Sequence, residues 1–456
     1  MTRWIGAAAG AVLAAASAIL LAGPSVFPTG TTIYDPGRAW NGYTVLSPLG
    51  TQAAIVIDMN GNIVKQWDGY NSSAGGPARI LPGGVVVGAV GANPPRQEST
   101  ELVQRNFDGK EVWRFDHNEQ IQTPDGKMIW ASRQHHDWQR EDFPGGYYSP
   151  DATPGIQGSK TLLLTHTNHV RPKVAPDKML EDDRIIEISW DGKILWQWVA
   201  SDHIDDFQFD EDARKAIASQ PAGRGAFDWM HTNSAAYVGP NHWYDQGDMR
   251  FAPNNIIISS RNSSFIAIIA HDRSARDGSV VWQLGPDFSA SPELRAIREI
   301  IGQHNAHFIP KGLPGAGNVL VFDNGGPSGY GKPSPIALDG QNIYARPTSR
   351  VLEIDPVTLK LVWSYTSPTF FATNISGAQR LPNGNTLVTE GPDGRVFEAT
   401  KDGNIVWEYI FPLFTGARMS NSVYRAYRLP YGWIPQLARP REQAVTPPAA
   451  GNFKVP

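Results

Sequence analysis

Four residues, far apart in the chain, are of the types needed to transfer an anionic group if they meet. They are His136 in His135-His136-Asp137, His231 in Asp228-Trp229-Met230-His231-Thr232-Asn233-Ser234, Arg261 in Ser259-Ser260-Arg261-Asn262, and His304 in Gln303-His304-Asn305-Ala306-His307. A neutral imidazole is a good nucleophile, and a covalent intermediate on it divides one difficult transfer into two easier steps. A second imidazole can carry the proton that the leaving group takes and the incoming group gives up. A guanidinium supplies fixed donors to the oxygens where negative charge develops. Asn233 and Ser376 are further candidate substrate-binding groups, and Asp137 and Asp228 are placed to hold imidazole tautomers from behind.

Each of these residues taken singly has an ordinary structural explanation. One of His135 and His136 is expected to be structural. His166 and His169 are outside candidates for the same site. His307, three residues from His304 on a strand, faces the other way and reads as packed. Asp323-Asn324-Gly325 reads as a turn and not as a ligand set. Only convergence on one small volume makes the set a site, so the elements that carry it decide the matter.

Those elements repeat. A tight turn, a β-branched pair and a tryptophan recur at Asn60-Gly61 to Trp67, Asp108-Gly109 to Trp113, Asp191-Gly192 to Trp196, Asp277-Gly278 to Trp282 and Asp402-Gly403 to Trp407, with a degenerate copy at Thr358 to Trp363. Asn-Gly and Asp-Gly favour the positive φ of hairpin turns, and the alternation after each turn is that of a half-buried strand. Repeats at this spacing point to a closed or stacked array. Six units of four antiparallel strands predict an all-β, six-bladed β-propeller over 25–434, with the tryptophans packed between blades. The units open near Thr44, Ala78, His135, Asp228, Gln303 and Ser376, and Val423 to Leu429 is expected to return and complete the first. Opening strands line the axis of such a ring, so His136, His231, His304 and Ser376 would face one channel, with Arg261 beside them. Helical spacing appears only at Glu211 to Ser219 and Ser291 to Ile301. Long inserts, Glu141 to Lys160 among them, read as lids or binding loops.

With 18% charged residues, 15 tryptophans and a net charge of -4, the chain is folded, and it lacks the basic stripe of a nucleic-acid binder. It contains no cysteine, which excludes disulfides, thiolate nucleophiles and thiolate metal sites. Thr2-Arg3 followed by the apolar run Trp4 to Ala22 reads as a signal peptide or an uncleaved membrane anchor over 1–24, and hence as export to the periplasm or another extracytoplasmic space. The segment 435–456 reads as a Pro-rich tail, disordered from Arg439. Oligomeric state is not encoded in any pattern here.

The ordered set His135-His136-Asp137, Asp228 to Ser234, Ser259-Ser260-Arg261, Gln303 to Phe308 and Phe322-Asp323-Asn324-Gly325 resembles bacterial arylsulfotransferases, exported six-bladed propellers that move a sulfuryl group between phenols. The resemblance runs from roughly the first blade to the sixth. It implies that His304 is the histidine that becomes transiently sulfated, and that His136, His231 and Arg261 surround it. It also implies a phenolic sulfate ester as donor, a phenol as acceptor, ping-pong turnover, and no cofactor. No nucleotide donor is expected, because no Gly-rich phosphate loop precedes a helix. Members of the family can carry a disulfide, which this chain cannot. Three other readings stay open on the residues alone. One is a His-ligated zinc or copper enzyme. Another is a quinoprotein dehydrogenase, disfavoured by the six repeats and missing cysteine pair. The last is a non-catalytic binding propeller.

Overall fold

The computed structural model describes residues 29–447 apart from 95, 124, 221–225, 331–344 and 416–419. Six four-stranded antiparallel sheets form the blades of a propeller. Their innermost strands are Val423–Leu429, Arg79–Leu81, Gln134–Arg140, Thr232–Tyr237, His304–Phe308 and Gly377–Arg380 for blades one to six. The expected closure holds: Val423–Leu429 pairs with Tyr43–Pro48, so the C-terminal strand completes the first blade. A strand at the other end, Gly30–Tyr34, adds a fifth member to blade six by pairing with Ile405–Ile410. The two ends of the chain thus clasp adjacent blades. The leader lies outside the described residues, and among those described no helix is long and apolar enough to cross a membrane.

The repeated phrase has a clear physical role. Its glycines sit at φ of 81° to 88°, the positive values the tight turn needs. Six tryptophan indoles then donate, each to a backbone carbonyl of the next blade: Trp67 to Phe107, Trp113 to Trp190, Trp198 to Gly278, Trp282 to Pro356, Trp363 to Lys401 and Trp407 to Met59, all at 2.8–3.0 Å; in blade three this is the tryptophan two beyond the phrase, and Trp196 donates to the Asp277 carboxylate at 2.9 Å instead. The last bond joins blade six to blade one. Apolar clusters fill the spaces between blades, as where Leu162, Leu164 and Ile185 of blade three meet Ile256, Ile258 and Ala267 of blade four. Burial of a large side chain contributes about 1.5–3 kcal/mol, so interblade packing carries most of the stability.

Three expectations need correction. The second helix spans only Pro292–Ile297, because Arg298 turns to φ 65° and ends it. The segment from Arg439 is not free: Val445 and Tyr34 exchange backbone hydrogen bonds at 2.8 and 2.9 Å, and Asn60 holds Arg441 and Gln443. A strand edge left open by Gly30–Tyr34 supplies partners that composition could not reveal. The insert after Arg140 is a plug and not a lid. Gly145 and Gly146 press against Ala236 and His307, where an added Cβ would lie 3.0–3.3 Å from neighbouring atoms. Tyr147, fully buried, stacks on Tyr427 with centroids 4.4 Å apart. The insert packs on four other blades, through Tyr427, Arg79, Ala236 and His307.

Candidate active site

The opening strands of blades three, four and five are each broken by a register shift at the point where a chemical side chain sits: between Gln134 and Trp138, Thr232 and Ser234, and His304 and His307. Left-handed residues accompany the shifts: His136 at φ 50°, His231 at φ 49° and Asn305 at φ 57°. For a residue with a Cβ this conformation costs about 1–3 kcal/mol, and such strain gathers at functional sites. Each shift turns the side chain off the regular pleat and onto the axis.

His304 is the deepest of the three, only 2% exposed. Its Nδ1–H donates to Asn324 Oδ1 at 2.8 Å and lies 3.1 Å from the Gly302 carbonyl. The Asn324 carboxamide cannot turn over, because its Nδ2 donates to the carbonyls of Ala372 and Ile375, both at 3.0 Å. The proton of His304 is therefore held on Nδ1, and Nε2 keeps its lone pair. Burial, then the charge of Arg261, pushes the imidazole well below the usual histidine range, so it is neutral at pH 7. Asn324, expected only in a turn, thus orients the His304 ring.

His231 sits nearer the mouth. Its Nδ1 and backbone N–H both bond the Asp228 carboxylate, the latter at 2.9 Å. Burial pushes Asp228 up, but the charge and hydrogen bond of His231 outweigh it and bring the carboxyl to about 2. Asp228 is therefore an ionised acceptor behind the His231 ring. His136, and not His135, meets His231: their rings are 4.7 Å apart, edge to face. Burial and the neighbouring imidazoles push His136 well below the ordinary value, so it is neutral.

Arg261 is tied to the same turn by its backbone, its N–H donating to the His231 carbonyl at 3.1 Å. Its guanidinium makes one hydrogen bond among the described residues, Nη1 to Asn262 Oδ1 at 3.0 Å, so most of its donors remain for a ligand. A cleft of about 350 Å³ nearby is lined by polar and apolar groups alike, among them Asp210, Asp287, Glu299, Phe288, Ile301 and Tyr330, and neither Arg261 nor the three histidines lines it. Below the histidines lies a cation the sequence reading missed. Arg425, fully buried on the closing strand, bonds Tyr147 at 2.8 Å and the Asn233 carbonyl at 3.2 Å, and its charge bears on His304.

The other expected residues fall elsewhere. Asn233 donates to the Gln303 carbonyl at 2.7 Å and accepts from Asn305 N–H at 3.3 Å, which makes it a staple between blades four and five and not a free donor. The Ser376 hydroxyl donates to the Asn374 carbonyl and accepts from Gly391 N–H, so it closes a turn at φ 84°. Asp137 touches no histidine: it pairs with Arg79 and lies 3.9 Å from Arg425. His169 bonds Asp182, and His307 packs under the plug. Carboxamides and carboxylates on an inner strand meet neighbouring backbone first, and spacing does not register that competition.

A sequence model of arylsulfotransferase (ASST) matches residues 151–412, more than half of the chain. The chain belongs to the arylsulfotransferase family. Membership makes it a sulfotransferase by class, with small aryl compounds as donor and acceptor. The match contains His231, Arg261 and His304 and begins after His136. No curated protein matches the sequence. Among solved structures it is similar to a protein of unknown function from Bacteroides caccae, at 10% identity over 85% of this chain and 98% of that one, with a TM-score of 0.43. It is also similar to a virginiamycin B lyase from Staphylococcus aureus (11%, 83% and 83%, TM-score 0.36). Kuenenia stuttgartiensis hydrazine synthase is a third (11%, 84% and 79%, TM-score 0.38).

In this arylsulfotransferase two groups of described residues bring possible metal-ligand atoms within 4.8 Å of one another: His135, His166 and Asp183, and Glu98, His166 and Glu181. The first does not suit an ion as it stands. The rings of His135 and His166 are stacked 3.6 Å apart at 16°. An imidazole binds a metal along a lone pair in its own plane, and two nearly parallel stacked planes share no such point close by. In the second group His166 Nδ1 is within 3.2 Å of both carboxylates, and Arg133 also binds Glu98. That is an ion-pair network already balanced by cations.

Proposed function

We propose that this arylsulfotransferase moves a sulfuryl group from a phenolic sulfate ester to a phenol by a ping-pong route through a sulfohistidine at His304. The observation that carries the reading is the bare Nε2 of His304, enforced by Asn324, on a buried neutral ring beside an under-bonded guanidinium. In the first half-reaction Nε2 attacks sulfur, an N–S bond forms, and the S–O bond to the aryl oxygen breaks. The departing phenolate, whose conjugate acid has a pKa near 10 like that of tyrosine, takes a proton from His231. Asp228 stabilises His231 while it holds that proton. Arg261 binds the sulfuryl oxygens as charge builds on them. In the return half-reaction neutral His231 takes the proton of the acceptor phenol, whose oxygen attacks sulfur and releases His304.

The rival of a metal enzyme is tested by the same assay with a chelator, against which transfer should survive. Incubation with a chromogenic aryl sulfate and a phenol should give transfer, peptide mapping should find sulfate on His304, and His304→Ala should abolish both. Sulfate on another residue, or full activity of His304→Ala, refutes the assignment. We also propose that the protein works outside the cytoplasm, on the support of the apolar run Trp4 to Ala22. Fractionation of cells expressing the full chain checks this, and a cytoplasmic pool alone would contradict it.

A further inference from the structure

Behind His136 lies a line of buried groups that the transfer chemistry above leaves unused. His136 Nδ1 is 2.8 Å from His135 Nδ1, so one of these two nitrogens carries a hydrogen and the other a lone pair. At the far side of its ring, His135 Nε2 lies 3.3 Å from Asp183 Oδ1. Both atoms are fully buried and otherwise unpaired: they face one another without the alignment of a full hydrogen bond, and His166 Nε2 stands 3.8 Å from the same Asp183 oxygen. The other Asp183 oxygen is taken by the Thr232 backbone N–H at 2.8 Å. Stacked on His135 is His166, whose Nδ1 is 3.2 Å from a carboxylate oxygen of Glu98 and of Glu181.

We propose that Asp183 and His135 form a tautomer lock on His136, which holds the His136 Nε2 as a bare lone pair toward the channel and His231. The direction of the chain follows from its end. A carboxylate only accepts, so His135 must place its hydrogen on Nε2 to meet Asp183. A neutral ring has one N–H, so His135 Nδ1 is then an acceptor. His136 must donate to it from Nδ1, which strips Nε2.

The stacked His166 keeps this direction. Burial alone would lower His166, but the hydrogen bond to Glu98 and the charges of Glu181, Glu98 and Asp183 outweigh it and raise it. Its positive charge over the face of His135, after burial, pulls His135 down to about 4. His135 therefore remains neutral, with a lone pair to offer. An acceptor-only His136 leaves His231 as the ring that carries the mobile proton, and it orients that proton, or the hydroxyl hydrogen of the acceptor, by accepting it. His135 and Asp183 are positioning residues, and neither touches substrate.

Asp183→Asn is the informative exchange. The Thr232 N–H requires an oxygen, so the carboxamide oxygen takes that side and its NH₂ faces His135. The chain then runs backwards, and His136 carries its hydrogen on Nε2 with the shape of the site unchanged. The experiment is long-range ¹H–¹⁵N correlation on histidine-labelled full-length protein, read beside kcat for transfer from an aryl sulfate to a phenol. Wild type should show His136 as the Nδ1–H tautomer and His135 as the Nε2–H tautomer. Asp183→Asn should invert both and lower kcat by about 10²–10⁴-fold, the range for an imidazole held in the wrong tautomer. His136 as the Nε2–H tautomer in wild type overturns the lock, as does a variant spectrum that does not invert. Inversion with kcat within threefold of wild type overturns its role in turnover. The wild-type spectrum decides the lock even if the variant does not fold. The inference rests on the sulfohistidine reading only for its kinetic arm: wild type that transfers nothing refutes that reading and leaves the tautomer result standing.

Discussion

Replacing Arg261 separates two effects that its single charge produces. The guanidinium faces the site with one hydrogen bond to Asn262 and no ion-pair partner among the described residues. Burial lowers its own pKa, partly offset by the charge of Asp228, so the cation sits in a poorly hydrated place where a donor acts strongly. Arg261→Gln removes the charge and the fork together. The loss of a preorganised donor to developing negative charge costs about 3–4 kcal/mol, or roughly 10²–10³ in kcat. The same charge is, after burial, the largest influence holding the His304 imidazole below the ordinary range. Without it protonation of His304 becomes easier, its pKa rises, and the acid limb of kcat/KM moves to higher pH. Arg261→Lys keeps the charge but loses the planar pair of donors. It should lower kcat while leaving the acid limb where it is in wild type. Initial rates with a chromogenic aryl sulfate between pH 4 and pH 9 measure both. A Gln variant with kcat within tenfold of wild type and an unmoved limb would refute the placement of Arg261 at the sulfuryl group and against His304.

Further outcomes follow from neighbouring residues. His231→Asn and Asp228→Asn should slow transfer by about 10²–10⁴-fold from donors with poor, high-pKa phenol leaving groups. They should have little effect on nitrophenyl donors, whose phenolates leave without a proton, and an equal loss on both classes would remove His231 as the acid. Asn324→Leu frees the His304 ring and takes a donor from the Ala372 and Ile375 carbonyls, of which Ala372 keeps only a 3.4 Å contact from the Ser349 hydroxyl, at about 1–3 kcal/mol in all. Denaturant melts should show the loss of stability, and sulfate labelling of His304 should slow. Acid should destabilise the fold in a defined window. His135 and His307 are brought to about 4 by burial first, and His136 and His304 lie well below 6.5, so each binds its proton more readily in the unfolded chain. Stability is therefore lost as pH falls from about 6.5 towards 4, by up to about 1.4 kcal/mol per pH unit for each group. The raised His166 opposes this, since its contribution is present below 6.5 and is lost as pH rises through its folded value. Unfolding free energies at pH 7, 6 and 5 that do not decline would contradict the burial of neutral histidines.

Much of the ring could be read from the chain because its cause is local and repeated. Asn-Gly and Asp-Gly demand one kind of turn, alternation demands a half-buried strand, and the tryptophan at the end of each phrase needs a partner in the next blade. The return of Val423–Leu429 was legible as a leftover strand for an incomplete first blade. The inserts were not legible. The segment after Arg140 has the composition of a mobile loop, yet Tyr147 is buried because Tyr427 and Arg425 happen to face it. The run from Arg439 has the composition of a tail, yet Val445 finds the open edge at Tyr34.

At the site, the sequence by itself determined which chemical groups are present and that the opening strands would carry them: the imidazoles of His136, His231 and His304 and the guanidinium of Arg261. Tertiary structure alone decided that Nε2 is the free nitrogen of His304, which of His135 and His136 meets His231, that Asn233 and Ser376 are spent on backbone, and that Asn324 and Arg425 stand behind the histidines. The physical reason is one of range. Turn chemistry and strand alternation act between residues a few positions apart and leave a periodic trace. A tautomer or a shifted pKa is set by whatever partner lies within about 3 Å, and around a closed ring that partner comes from another blade.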